Sequence, residues 1–331
     1  MNIKHGVNLL ITGLGVAFTC ASLPSLAVGA EQTQLEYSVK AKLADKSLLL
    51  GGTAIDDKLV VVGSRGHILI SKDDGDSWAQ AKVPSRVALT SVYFSDKNNG
   101  WAVGHDAIIV RTTDGGLNWD RVYFAPEQEK PLLSVRFDDD ARIGYAYGAY
   151  GYVLKSVDGG QTWKELDISS EGGEPDDFHL NAVAESQLGT LYLAAEAGAA
   201  YKSIDRGMSW QRMYTAYEGS FFGVLPLVGD SVLMYGLQGN VFRSDDAGDS
   251  WVSLDIATTA TLNGGAVLKD GTIIIVGNEG VMLISKTGGH TFQQKNLDNR
   301  KSISSVVPTQ DGGALLVGEM GIRKLSLAQL N

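Results

Sequence analysis

Ser71-Lys72-Asp73-Asp74-Gly75-Asp76-Ser77-Trp78 decides the fold, because it returns. Thr112-Thr113-Asp114-Gly115-Gly116-Leu117-Asn118-Trp119 follows the same plan of Ser/Thr, then Asp, Gly, a polar residue and Trp. So do the stretches from Ser156 through Asp158 to Trp163, from Ser203 through Asp205 to Trp210, and from Ser244 through Asp246 to Trp251. A sixth copy, Ser285 to Phe292, carries Thr287 in place of the Asp and Phe292 in place of the Trp. Successive steps from Asp73 are 41, 44, 47, 41 and 41 residues. A regular period of that length marks an array of like supersecondary units.

Working outward, each copy is preceded by an apolar run and a short turn containing Gly. The turns are Gly63–Gly66, Gly104–Ala107, Gly148–Gly151, Ala195–Gly198, Gly236–Gly239, Gly277–Gly280 and Gly318–Gly321, one more than the boxes. Within the second unit, Thr90–Phe94, Gly100–Gly104, Ala107–Thr112 and Asn118–Tyr123 read as strands: short apolar or alternating runs bounded by Gly, Asp and Asn. Four short strands per period is one blade of a β-propeller, so the expected fold is all-β with seven four-stranded blades. The seventh unit has only Ser302–Pro308, Ala314–Val317 and Gly321–Leu327. The spare run Leu35–Lys40 is expected to complete blade seven as its fourth strand and so close the ring.

A feature repeated in every unit serves the unit. In a hairpin turn an Asp carboxylate accepts backbone N–H groups, a Ser/Thr hydroxyl adds another bond, and Gly takes a left-handed conformation freely. The Trp offers a large ring to bury between blades. Asp73, Asp114, Asp158, Asp205 and Asp246, with Trp78, Trp119, Trp163, Trp210 and Trp251, are therefore read as structural. Asp73 to Asp76 lacks the twelve-residue spacing and terminal Glu of a calcium loop.

The N-terminus reads as an export signal. Lys4 precedes an uncharged stretch from Val7 to Ala30, broken by Pro24 and ending in small residues. The expected division is residues 1–30 as signal peptide and 31–331 as propeller, with a periplasmic or secreted location. Cys20, the single cysteine, lies inside the signal, so disulfides, thiol catalysis and thiolate metal sites are excluded from the mature chain. Phe18-Thr19 before it matches a lipoprotein cleavage site poorly. The chain's net charge of −10, without a basic run, argues against nucleic acid as a partner.

The box resembles the bacterial neuraminidase repeat, or Asp-box, of sialidases, xyloglucanases and other propellers. The whole layout is similar to the photosystem II stability/assembly factor family and its non-photosynthetic bacterial relatives. It shares with them the signal peptide, the seven units, the boxes and the Val-Gly turns at Val62-Gly63, Val276-Gly277 and Val317-Gly318. The resemblance implies a non-enzymatic assembly factor or binding scaffold for a membrane protein or other envelope protein, with no cofactor. Relatives that accompany exporters point to an exporter complex as one such partner.

The alternative is a carbohydrate-active protein, either a glycoside hydrolase or a glycan-binding propeller. A sialidase needs an arginine triad and a Tyr–Glu pair, and no such arginine motif stands near the mature N-terminus. Asp106, Glu196, Glu279 and Glu319 sit in corresponding turns and could face one another as a glycosidase pair, but solvated turn carboxylates explain them as well. His67, His105, His179 and His290 show no ligand spacing, so no metal site is expected.

The box turns occupy one face of the disc, and the Gly turns share the other with the inter-blade connections, the longest being Tyr123–Leu132 and Ile168–Leu180. Long loops on a rigid frame are where binding is expected. That face brings acidic Glu174, Asp176 and Asp177 to one sector and basic Arg65, Arg86, Arg300 and Lys301 to another, with Tyr150 and Phe221 as exposed aromatics.

Overall fold

The computed structural model describes residues 35–166 and 177–330. They form seven consecutive antiparallel sheets, each built in chain order from an innermost strand outward. Blade one, for example, runs Leu49–Ile55, Lys58–Gly63, Ile68–Ser71 and Ala79–Gln80. The innermost strands of neighbouring blades touch all the way round, blade seven (Ile303–Pro308) meeting blade one, so the ring is closed.

Burial explains why these segments are strands. The second strand of every blade, such as Ile273–Gly277 or Ala314–Gly318, is buried along its whole length and reads as continuous apolar residues. Outermost strands span only two to four residues and are largely exposed. Seven apolar clusters lie one between each pair of blades. Between blades one and two, Val60 and Ile70 meet Phe94, Val110 and Trp119. Between blades two and three, Trp101 stacks on Phe137, and Trp163 meets Phe137 edge-on at 5.7 Å.

Every innermost strand carries a bulge near its loop-face end, as at Leu49/Gly51, Leu89/Ser91, Leu180/Ala182 and Leu262/Gly264. The extra residue leaves the ladder, which adds twist and frees a side chain. Three such residues reach across to the next blade's innermost strand. Thr90 donates to the Leu132 carbonyl at 2.6 Å, Asn181 to Phe221 at 2.7 Å and Asn263 to Ile303 at 2.9 Å.

Ring closure corrects the sequence expectation. Blade seven has three strands, and Leu35–Lys40 is not a strand of it. That segment runs as an extended strap along blade one, where better partners hold it. The Ser38 N–H donates to Val83 O at 2.9 Å, and the Gln80 amide both accepts from the Ala41 N–H and donates to Val39 O. Arg86 Nε donates to Tyr37 O at 3.0 Å, and Lys82 lies over the Tyr37 ring. The ring closes through side chains instead. Leu315, Val317 and Ile322 of blade seven pack on Val61, Leu69 and Trp78 of blade one. Lys324 pairs with Asp74 at 3.3 Å and Asp311 at 3.2 Å, and Asp74 accepts the Gln310 N–H at 2.7 Å. In the cluster between blades six and seven, Leu330 of the short helix Leu327–Leu330 contributes a buried apolar side chain.

The expected signal peptide, and with it Cys20, lies outside the described residues. Among the described residues, no helix is long and apolar enough to cross a membrane.

Candidate functional site

The boxes have one geometry. In the third, Asp158 accepts from Ser156 Oγ at 2.8 Å, from the Gln161 and Thr162 N–H groups at 3.0 and 2.9 Å, and from Thr162 Oγ1 at 2.6 Å. The Ser156 hydroxyl accepts the Gly160 N–H, and the Trp163 indole donates to Gly160 O. The pattern recurs around Asp73, Asp114, Asp205 and Asp246. Only Trp210, among the box tryptophans, leaves its indole N–H unpaired. The two central residues of each box turn are left-handed, Asp74 and Gly75 in the first, Gly159 and Gly160 in the third.

These donors hold the carboxylates ionised. Asp158 is held at about 2, first by the Thr162 hydroxyl and then by its N–H. The Ser77 hydroxyl does the same for Asp73 and that of Ser250 for Asp246, each at about 2. At Asp205 burial works against the charge, but the Ser209 hydroxyl and N–H outweigh it and hold the group at about 2. An acceptor held ionised in this way has no proton to give, and both of its oxygens already serve the turn's own donors. The sixth box keeps the turn with a single oxygen, since Thr287 Oγ1 accepts the Thr291 N–H at 3.0 Å.

The opposite face is built differently. In every blade the residue after the second strand donates its N–H to the carbonyl just before the innermost strand: Ser64 to Leu48, His105 to Ala88, Ala149 to Pro131, and so on round to Glu319 and Ser302. The next residue is left-handed in six blades: Arg65, Asp106, Tyr150, Ala197, Gln238 and Glu279, with φ between 52° and 58°. A non-glycine residue there costs about 1–2 kcal/mol. In five of these turns a left-handed glycine follows; at Gly198 an added Cβ would sit 1.9 Å from Tyr217 O. The loop face thus presents a basic, an aromatic, a small apolar, an amide and two acidic side chains from one backbone position.

The structure brings Arg65 and Arg86 together. With His67 and strap residues Val39 and Ala41 they line a groove of about 280 Å³. Arg65 is exposed, and Arg86 is engaged with Tyr37 O and lies 3.7 Å from Glu36. Burial, and then the Arg65 charge, push the His67 imidazole below its ordinary value; its Nδ1 lies 3.1 Å from Ser47 Oγ. Tyr150 is 51% exposed and packs on the His179 ring. Lys301 is exposed, but Arg300 is tied by an ion pair to Glu279. Asp177 is exposed, while Glu174 and Asp176 lie outside the described residues.

Phe221 corrects the expectation of an exposed aromatic: it is fully buried, edge-on to Phe242. It opens the innermost strand of blade five, where Leu49, Leu89, Leu132, Leu180, Leu262 and Ile303 are likewise buried in the other blades.

Three of the four turn carboxylates that could have formed a glycosidase pair have local partners. Glu279 pairs with Arg300, Glu319 accepts the Ser302 N–H at 3.3 Å, and Glu196 pairs with His179 at 2.6 Å. Burial opposes the charge of Glu196, but bonds from His179 outweigh it and hold the group below the usual range, the wrong direction for a general acid. Sequence reasoning missed the bulge residues Thr90, Asn181 and Asn263. Their signal was a polar residue directly after the buried leucine that opens each of these three innermost strands, Leu89, Leu180 and Leu262. It also missed the ion pair between Arg136 of blade three and Glu185 of blade four.

Comparison with known proteins agrees with this geometry. Residues 70–226 and 126–268 match the family described as Photosynthesis system II assembly factor YCF48. A Photosystem II assembly lipoprotein Ycf48 of Parasynechococcus marenigrum is 39% identical over 145 residues, 43% of this chain and 42% of the relative. Its counterpart in Prochlorococcus marinus is 35% identical over 161 residues, 48% and 46% of the two chains. The chain spans less than half the length of the curated relatives it matches, between 19% and 46%. A solved structure described as YCF48 bound to D1 peptide shares the fold with a TM-score of 0.67 at 19% identity, covering 84% of this chain and 92% of that one. With more than half of its residues matched by the family model, the chain belongs to the Photosynthesis system II assembly factor YCF48 family.

Proposed function

We propose that this protein is an exported binding scaffold that docks its loop face on a membrane-embedded or envelope protein during assembly, without catalysis of its own. One observation carries the reading. The loop face presents Arg65, Asp106, Tyr150, Ala197, Gln238 and Glu279 from a strained backbone position, whereas the box face repeats one self-satisfied turn. Variety at equivalent positions can tell one sector of a partner from another; the box turns also vary at exposed positions such as Leu117, Gln161 and Met208, but their shared Ser/Thr and Asp are spent on the turn itself. The D1 peptide bound by a solved relative is consistent with a membrane-protein partner, and an exporter complex is the member of that class suggested by resemblance. Residues 1–30 as a signal, and the lipoprotein names of relatives, favour an extracytoplasmic site of action.

Site-specific photo-crosslinkers at Arg65 and Tyr150, compared with crosslinkers at Gln161 and Asp249 in box turns, test this in native envelope. The expected result is adducts to a discrete envelope protein from the loop face alone, weakened by Arg65→Glu with unchanged thermal unfolding. Adducts from box turns only, or retention on a polysaccharide with no protein adduct, would overturn it.

A further inference from the structure

Two equivalent places on the box face differ in what fills them. Where blade three meets blade four, Tyr145, Glu185, Leu191 and Arg206 enclose a cavity of only about 20 Å³. Where blade five meets blade six, the same place is a pocket of about 250 Å³. Register shows why. Tyr145 and Leu233 are each the second residue of a second strand, Glu185 and Val267 each end an innermost strand, and Arg206 and Gly288 are each the fourth residue of a box. Leu227 and Val228 stand where blade three has Asp138 and Asp139, in the turn after the innermost strand. The side chains between blades five and six are therefore smaller and apolar. The mouth is open, since an added Cβ at Gly288 meets nothing within 4 Å.

Blades two and three show what this place accepts. There the basic residue just before the box lies over the aromatic ring that faces it in the ladder. Arg111 is 5.9 Å from the centroid of Trp101, and Lys155 is 5.3 Å from that of Tyr145. In blade four Lys202 faces Tyr192 but is drawn to Asp249 at 2.5 Å. Arg243 holds the position in blade five, is 7% exposed and lines the pocket, but the residue facing it is Leu233. Its charge is already met. Asp245 accepts from Nε at 3.0 Å and from Nη2, while Gly288 O and Ser231 Oγ accept from Nη1 and Nη2. Asp230 and Asp270, exposed in the bordering turns, do not line the pocket. Charge thus selects no ion, and the walls of Leu227, Val228, Val267 and Ile273 favour an apolar body.

We infer that this pocket binds a free neutral aromatic molecule of one or two rings, a phenol or an indole. Its face lies against the Arg243 guanidinium, and its hydroxyl or N–H points toward His290 at the mouth. At about 250 Å³ the pocket falls below the ~300–1,000 Å³ of sites for drug-sized ligands, which sets the limit of one or two rings. The site goes beyond the scaffold reading and lies on the opposite face from it.

Isothermal titration calorimetry on the full chain compares p-cresol and indole with cyclohexanol and benzoate. The two neutral aromatics should bind at one site, and the saturated ring and the anion at least tenfold more weakly. Leu233→Tyr, which places the chain's own ring under Arg243, should abolish binding. Gly288→Arg gives box six the residue of box four at the same left-handed position. It should weaken binding at least tenfold, and it keeps the test intact if Leu233→Tyr does not fold. Arg65→Glu should leave binding unchanged, so failure here and failure of the loop-face reading are separate results. No binding of p-cresol or indole, equal binding of cyclohexanol or benzoate, or indifference to Gly288→Arg overturns the proposal. So does an envelope-protein adduct from a photo-crosslinker at Val228 that p-cresol displaces, because it gives the pocket to a partner's side chain.

Discussion

Replacing Asp158 separates a structural aspartate from a functional one. Asp158→Ala removes the acceptor of four donors, of which the Gln161 and Thr162 groups are exposed and turn to water. Their loss costs little each. The Ser156 hydroxyl is buried, at 1% exposure, and is left donating to nothing. Roughly one buried unpaired donor and two or three weak solvated bonds amount to about 1–2 kcal/mol, the lower part of the range for a broken network. Asp158→Thr should cost less, because Thr287 of the sixth box accepts the Thr291 N–H with one hydroxyl oxygen. Ser156→Ala should cost at least as much as Asp158→Ala, since it strands the Gly160 N–H at a buried position. Urea unfolding of the three variants, and of the Ser156/Asp158 double mutant, gives the values and their coupling. Equal stability of Asp158→Ala and the parent, or loss of partner adducts in fully folded protein, would refute the structural reading.

Three further outcomes follow from the geometry. Deleting Leu35–Lys40 should lower stability by only about 1–2 kcal/mol, because the ring closes through Lys324 and the Trp78 cluster; a loss several times larger in thermal unfolding would return the segment to blade seven. Asn263→Ala, which cuts the bond from blade six to Ile303 O, should cost about 1 kcal/mol and speed hydrogen exchange in the innermost strands of blades six and seven; unchanged exchange there would contradict the bridging role. Asp73, Asp158, Asp205 and Asp246 are held at about 2, below the ordinary unfolded value of ~3.9, so their stabilisation is complete above pH ~4 and disappears as pH falls toward 2. Urea midpoints that stay flat between pH 5 and 2 would contradict that window.

Much of this was legible in the sequence because the repeat overdetermines it. Five Asp–Gly–Trp boxes and seven Gly turns fix the blade count, and continuous apolar runs such as Ile273-Ile274-Ile275-Val276 fix the buried second strands. The closing strand was not legible, because Leu35–Lys40 alternates equally well for a strand or a strap. The choice between them falls to the side chains of Gln80 and Arg86, far along the chain. Phe221 was misread for a related reason. Phe221-Phe222 offers two aromatics, and only comparison with Leu49, Leu89 and Leu262 shows that the first opens the innermost strand and is buried. Arg65 and Arg86 line one groove, whereas Arg300 pairs with Glu279, a contact between turns that no spacing rule reports.

The left-handed residue of each loop-face turn has a consequence for how this protein could change over time. At Arg65, Tyr150, Gln238 and Glu279 a glycine would relieve backbone strain and strip the face of its chemistry in one step. If this face is the docking surface proposed above, thermostability and recognition are opposed at the same positions. Selection for heat resistance alone, as in a laboratory evolution experiment without the partner, should drift these sites toward glycine or asparagine first, leaving a sturdier ring with a blank face.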